Sequence, residues 1–427
     1  MQVTMSYGRQ GLILTFPNDW QVDVVNKKVM PVLDDPQKRV AEALNNPVGC
    51  RPLKEEARDK KSACILICDI TRPVPNELLL PQIIRELMAG GMEAARIKVL
   101  VATGLHRPNK GDELRELVGD DWVMKTVSVE NHLARNDEDH LDLGLTKKGT
   151  RVKIDKRFVK AELRIVTGLV EPHFMAGYSG GRKVITPGVA HQDTISRLHT
   201  ALFLEHPGAA NCVLDGNPLH EEQLEVVDML GGALSVNTVI TEQRELSFVN
   251  FGEIKQSHLK AVEYARLYTE TTLPQAYQTV ITSNAGYPLD KTFYQTVKGM
   301  VGAMEIVKPG GDIFIVSEIS EGFGSPEYRL AQKRLMELGA ENFLREIKTR
   351  DRADIDEWET EKLLKPMRKG LVRLFTQGLT PEEERLTGIE VINDLAKFNQ
   401  AVRKSGNKEK RVVVIPEGPY IIPFIRG

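Results

Sequence analysis

The sequence predicts an α/β protein made of two doubly wound α/β domains, with the active site in the cleft between them. Three observations predict this. The chain has 427 residues, too many for one ordinary hydrophobic core. Short apolar runs alternate with helix-patterned stretches, the order that produces parallel sheets joined by crossover helices. Reactive residues recur just past the ends of the apolar runs, where loops converge in open parallel sheets and ligands bind.

Taken in order, the first forty residues hold short apolar segments such as 11–16 (GLILTF), suited to a small β layer. A buried strand follows at 62–69, a glycine-stopped helix at 77–91 and a strand at 97–104, which together make a right-handed βαβ unit. Another strand is expected at 161–170, and helical periodicity runs over 191–206 up to Pro207-Gly208. A second set begins near 276, with a strand at 276–286, a helix at 293–307 and a strand at 310–318. Helices at 326–348 and 381–404 and a strand at 411–418 complete it. The break is placed in 269–275. This gives an N-terminal domain over 1–270, a C-terminal domain over 271–410, and a terminal strand and tail at 411–427 without an assigned domain. The charged run 348–362 predicts an exposed surface segment, in which Trp358 is out of keeping.

Lys plus Arg (57) nearly cancels Asp plus Glu (59), which argues against a nucleic-acid partner. No apolar run has the length to span a bilayer, and the start lacks the basic-then-apolar pattern of a signal peptide. The four cysteines, Cys50, Cys64, Cys68 and Cys212, form no CxxC pair and are expected as free thiols, Cys64 and Cys68 buried. A cytoplasmic protein with no membrane partner is the expectation.

Polar clusters follow four predicted strands: Asp69 to Pro75, Thr103 to Pro108, Glu171 to His173, and Asn284 to Pro288. His106 and His173 lie in separate clusters. Inverting a carbon needs a proton-transfer group on each face, and imidazole both gives and takes protons near neutrality. The C2 hydrogen of a 2-hydroxy acid is too weakly acidic for imidazole alone, so a cofactor acting as electron sink or hydride acceptor is expected. The loop Gly177 to Lys183 (GYSGGRK) is neither GxxxxGK[ST] nor GxGxxG, so neither a triphosphate nor a Rossmann site is supported. It reads equally as a glycine turn with solvated basic residues or as an anion cradle whose lysine is a covalent anchor. His191 and His199, eight apart, could share one helix face. Spacing alone does not make both of them ligands. Tyr294 and Lys298, four apart, project from one face of a helix start that suits a carboxylate.

These segments resemble the nickel-pincer lactate racemase family. The resemblance is carried by DITRPVP (69–75), TGLHRP (103–108), EPHFMAGYSGGRKVITPG (171–188), RLHT (197–200) and YQTVKGM (294–300), in the family's order and across essentially the whole chain. It implies that Lys183 carries a pyridinium-derived mononucleotide, the nickel pincer nucleotide, whose two sulfurs and one carbon hold nickel, with His199 as the protein ligand. Asp69, Ser179, Gly180, Gly181 and Arg182 would lie at the cofactor, and His106 and His173 would be the acid/base pair. Arg72 and Lys298 would hold the substrate carboxylate, with Tyr294, Gln295 and Trp358 in the same pocket.

The implied reaction is racemisation or 2-epimerisation of a small 2-hydroxy acid, lactate first, by reversible hydride transfer through a planar 2-keto acid. Dedicated maturation enzymes would supply the cofactor. Malate, a longer aliphatic or aromatic acid, or a sugar acid are alternative substrates, chosen by residues such as Phe174, Met175, Tyr287, Phe293 and Trp358. A second carboxylate would call on Arg107 or Lys291. A nicotinamide-dependent oxidoreductase and a non-catalytic nickel-binding protein are the alternatives of a different class.

Overall fold

The computed structural model describes residues 1–426. The chain divides into two compact units that do not follow linear order. One comprises Val29–Leu198 and Val213–Leu267. The other comprises Met1–Lys28, His199–Cys212 and Tyr268–Gly427. The linear division expected from sequence, 1–270 then 271–410, therefore differs from the packing at both ends. Gln21–Val24 pairs in parallel with Arg411–Ile415, so the amino-terminal segment and the terminal strand belong to one sheet.

In the first unit, the sheet order is Leu246–Glu253, Leu234–Ile240, Leu163–Leu169, Ala63–Cys68, Ile97–Ala102, Ser128–Asn131. All neighbours are parallel except the Leu246–Glu253 edge. Alternate residues of the central strands feed opposite faces, as the strand period requires. Ile65, Ile67, Val99, Val101 and Ile165 enter one core, while Cys64, Leu66, Leu100 and Val166 enter the other. The chain winds outward from Ala63–Cys68 to Ser128–Asn131, then returns to Leu163–Leu169 and winds the other way. The reversal lies between those two central strands.

The second unit holds a six-stranded parallel sheet ordered Glu390–Ile392, Gly370–Phe375, Val307–Val316, Tyr277–Ser283, Arg411–Ile415, Gln21–Val24. Gln2–Met5 and Leu12–Thr15 make the small separate β layer expected near the start. On one face Phe398 packs between Phe314 and Phe375, at ring separations of 5.6 and 5.5 Å.

Several elements break where sequence periodicity predicts continuity. The 191–206 stretch is two helices, Gln192–Leu198 and Ala201–Leu204, because Thr200 takes extended backbone and starts the second. His191 precedes the first helix and His199 follows it, so they share no helix face. The 326–348 stretch is Pro326–Leu338 and Ala340–Lys348, divided by Gly339 at φ 75°. The 381–404 stretch contains Pro381–Leu386, the strand Glu390–Ile392 and Leu395–Gly406.

The charged run 348–362 is the largest departure. Its second half opens the helix Glu357–Lys369, and Glu357 through Leu364 are buried. Two of these charges have partners that solvate them. Glu357 accepts from Arg334 at 2.6 Å and Arg350 at 3.0 Å, and Lys362 donates to the Ala209 carbonyl at 2.9 Å. Composition alone cannot distinguish charges solvated by water from charges solvated by protein.

Phe398→Ala is expected to destabilise the protein by about 3–5 kcal/mol through the cavity it leaves between the two phenylalanines. Urea denaturation measures this, and an unchanged midpoint would remove the ring from the core.

Candidate functional site

The reversal point of the first unit's sheet places Asp69 just beyond Ala63–Cys68 and Glu171 just beyond Leu163–Leu169. His106 follows the neighbouring strand Ile97–Ala102. Its loop is tied down by Gly104, whose N–H donates to the Gly188 carbonyl at 2.9 Å, and by Thr103, whose hydroxyl donates to the His132 carbonyl at 2.8 Å.

His106 is exposed and directed by a buried carboxylate. Its Nδ1 lies 2.6 Å from Asp69 Oδ2. Asp69 also accepts from the Thr71 N–H at 3.0 Å and the Thr71 hydroxyl at 2.5 Å. Burial opposes ionisation of Asp69, but the His106 and Thr71 hydrogen bonds outweigh it and hold the carboxyl below its ordinary range. An ionised Asp69 accepts, so the neutral imidazole donates through Nδ1–H and leaves Nε2 with a bare lone pair.

His173 is arranged the other way. It pairs with Gly177 in a two-residue antiparallel bridge. Its Nδ1 accepts from the N–H groups of Met175 (3.3 Å) and Ala176 (3.2 Å). The proton of the neutral ring is therefore on Nε2. One histidine presents an acceptor and the other a donor.

Arg72 forms an ion pair with Glu171, a partner that the sequence reading did not single out. Cys68 was expected only as a buried thiol. It is half-buried instead, and desolvation raises its pKa to about 11 against the opposing charge of Arg72.

The glycine loop is organised from beneath. The Ser179 hydroxyl donates to the Leu169 carbonyl at 2.7 Å and accepts from the Glu171 N–H at 3.1 Å. Gly180 and Gly181 have φ of 76° and 48°, and a Cβ on them would lie 2.8 Å from Val170 Cγ2 and 2.9 Å from the His258 ring. Both conformation and space demand glycine. Arg182, expected at the cofactor, is 1% exposed. It donates to the Ala176 carbonyl at 2.7 Å, and its Nη1 lies 3.0 Å from His258 Nε2. Burial lowers its pKa to about 9. Its guanidinium is engaged in the interior behind the loop, while Lys183, on the next residue, is half-buried.

The remaining candidates belong to the second unit. Helix Phe293–Ala303 is capped by Thr292, whose hydroxyl accepts from the Gln295 N–H at 3.2 Å. Tyr294, Gln295 and Lys298 lie on its first turns, and Lys298 donates to Gln295 Oε1. Trp358 Nε1 donates to the Tyr294 hydroxyl at 3.2 Å, and its ring lies 4.6 Å from that of His199. Burial, then the charges of Glu359 and Asp356, hold the Tyr294 hydroxyl well above its ordinary pKa. Glu359, adjacent to Trp358, is buried on a helix that packs against the one bearing Lys298, and burial raises its carboxyl to about 8. The sequence reading missed it because it sat in a run expected to be exposed. Phe293 is fully buried against Phe323, 5.1 Å away, so it belongs to the core.

The Lactate racemase N-terminal domain matches residues 7–211, and the Lactate racemase C-terminal domain matches residues 274–422. A lactate racemase of Thermoanaerobacterium thermosaccharolyticum is 30% identical over 424 residues, 98% of each chain. The chain belongs to the lactate racemase family. A lactate racemase of Lactiplantibacillus plantarum is 33% identical over 288 residues, 67% of each chain. Among solved structures, the lactate racemase apoprotein from T. thermosaccharolyticum superposes with a TM-score of 0.90 at 28% identity, covering 100% of both chains. A Thermotoga maritima protein at 17% identity shares the fold, with a TM-score of 0.66 over 93% of this chain and 100% of its own. Membership makes the protein an isomerase of the racemase kind. Among the described residues, no helix is long and apolar enough to cross a membrane.

Asp69 has a depressed carboxyl pKa, so its stabilising contribution is present above the ordinary value of 3.8 and is lost as pH falls through the lower folded value. Asp69→Asn lacks that contribution. The stability gap between wild type and variant is expected to close on acidification below about pH 5. Denaturant midpoints across pH measure it, and a constant gap would contradict the assigned ionisation.

Proposed function

We propose that the protein interconverts the enantiomers of a small 2-hydroxy acid, lactate being the substrate to test first, with His106 and His173 as the proton-transfer pair and a lysine-bound nickel pincer nucleotide as cofactor. The observation that carries this is the opposite hydrogen-bonding state of the two histidines. His106 offers a lone pair at Nε2 and His173 a proton at Nε2. A reaction that removes a hydroxyl proton on one side and returns one on the other needs that pair.

The donor set suits such a cofactor. Among the described residues, no three or more His, Cys, Asp or Glu side chains are grouped to hold a metal ion. A nickel ion bound here therefore needs donors from outside the chain, and a sulfur–carbon pincer brings them while leaving a position for one imidazole. Lys183 would carry the covalent link and His199 would be the metal ligand, its ring lying against Trp358. Ser179, Gly180 and Gly181 would shape the loop beside Lys183, with Arg182 supporting it from behind. When bound, the cofactor supplies a carbon that accepts and returns hydride.

The chain's own residues do the rest. Asp69 keeps His106 in the tautomer whose Nε2 takes the hydroxyl proton. Arg72 and Lys298 hold the substrate carboxylate, for which Arg72 must leave Glu171. Tyr294 and Gln295 line the same pocket, Gln295 also accepting from Lys298, and Trp358 supplies an apolar wall. His173 delivers its Nε2 proton to the oxygen of the 2-keto acid as C2 is reduced from its other face.

The two cations that a second carboxylate would call on are paired in the substrate-free protein, as Arg72 is. Arg107 is held by both oxygens of Glu113 at 2.7 Å each, and Lys291 is paired with Glu321. Neither is available to a second carboxylate without breaking a pair.

Chiral chromatography of L-lactate incubated with cofactor-loaded protein tests the activity. His106→Ala and His173→Ala are each expected to lower the rate by about 10²–10⁴-fold. Wild-type rates in both variants would overturn the assignment. Intact mass should show an adduct on the loaded protein that is absent from Lys183→Ala. An adduct retained by that variant would relocate the anchor.

A further inference from the structure

The helix that carries Trp358 holds a carboxyl that the reaction above does not use. Glu359 is 1% exposed, and its Oε1 has no hydrogen-bond partner among the described residues. The charged and titratable groups that face it come from each side. They are Lys298 and Tyr294 on helix Phe293–Ala303, Tyr328 on helix Pro326–Leu338, and Asp356 and Lys362 on its own stretch. Lys298 is the leading charge that favours its ionised form, and Asp356 opposes it.

A buried carboxylate without hydrogen bonds is expensive, and the neutral acid is the less costly state unless a cation lies close. Of the two ammonium groups that act on it, Lys362 donates to the Ala209 carbonyl, and the other, Lys298, is the one assigned above to the substrate. Two carboxylates therefore compete for one lysine. With Glu359 protonated, the Lys298 ammonium faces one carboxylate, that of the substrate, which Arg72 holds as well. With Glu359 ionised, that ammonium faces two carboxylates in a desolvated place.

We propose that Glu359 is a positioning residue that must hold a proton for Lys298 to bind the substrate carboxylate, so that substrate binding at alkaline pH takes up one proton at this carboxyl. The proposal rests on the role assigned to Lys298. In the absence of substrate, loss of that proton lets Glu359 occupy Lys298 instead. On binding, the carboxylate of Glu359 accepts one proton from solvent and the lysine is released to the ligand.

The test is the pH dependence of KM and kcat for lactate in the cofactor-loaded enzyme. Wild-type KM is expected to rise above neutrality toward tenfold per pH unit, a slope not carried by kcat. In Glu359→Gln, which is neutral at every pH, that slope should vanish. A slope equal to that of wild type would overturn the proposal, because a merely structural glutamate would shift KM without changing its pH course. If the variant does not fold, wild type decides, since a KM flat through the alkaline range overturns the proposal by itself. Infrared spectra of wild-type protein without cofactor give a second readout. A protonated buried carboxyl band present at neutral pH and lost on alkalinisation is expected, and its absence at neutral pH overturns the proposal. Lys298→Met separates the two levels. An unchanged KM in that variant removes lysine from substrate binding and the proposal falls with it. A raised KM together with a wild-type slope in Glu359→Gln removes only the glutamate.

Discussion

The parallel pairing of Ala63–Cys68 with Leu163–Leu169 is the constraint on which the first unit's chemistry depends. Both strands are buried on both faces, so their chain directions are fixed by two cores at once. The sheet winds away from this pair in opposite senses, and the connections leaving the two carboxyl ends diverge. Asp69 and Glu171 begin those connections. Everything they position follows from this one junction: Asp69 directs His106, Glu171 engages Arg72, and the Ser179 hydroxyl ties the glycine loop back to the backbone at Leu169 and Glu171.

Hydrogen bonding around the two histidines then puts chemically identical side chains in different states. A carboxylate behind Nδ1 leaves His106 a base at Nε2, while two backbone N–H groups at Nδ1 leave His173 an N–H at the same atom. The tight turn between His173 and Gly177 is what brings those amides round. Geometry in the backbone thus sets a protonation state.

Buried charge organises the other half of the machinery. In the helix Glu357–Lys369, Glu357 and Lys362 are satisfied by arginines and by carbonyls, which holds the helix inside and carries Trp358 to His199 and Tyr294. Glu359 Oε1 has no such satisfaction among the described residues. Arg182 shows the related case of a buried cation held mainly by a carbonyl. Departures of this kind from ordinary solvation cluster at functional sites in proteins generally.

The sequence alone determined the α/β class, the strand-end placement of Asp69, Arg72, His106 and His173, and the helix start bearing Tyr294, Gln295 and Lys298. Each of these depends on local periodicity or on short spacing, which a linear chain displays. The family resemblance rested on the same contiguous segments. Only the tertiary structure decided that Met1–Lys28 and His199–Cys212 pack with the carboxy-terminal half, because strand neighbours far apart in sequence leave no local mark. It also decided that 357–364 is interior, that Arg182 turns inward, that Arg72 meets Glu171, and that the two histidines hold their protons differently. Those outcomes depend on which partners solvate a charge or accept a hydrogen bond, and such partners are supplied by folding.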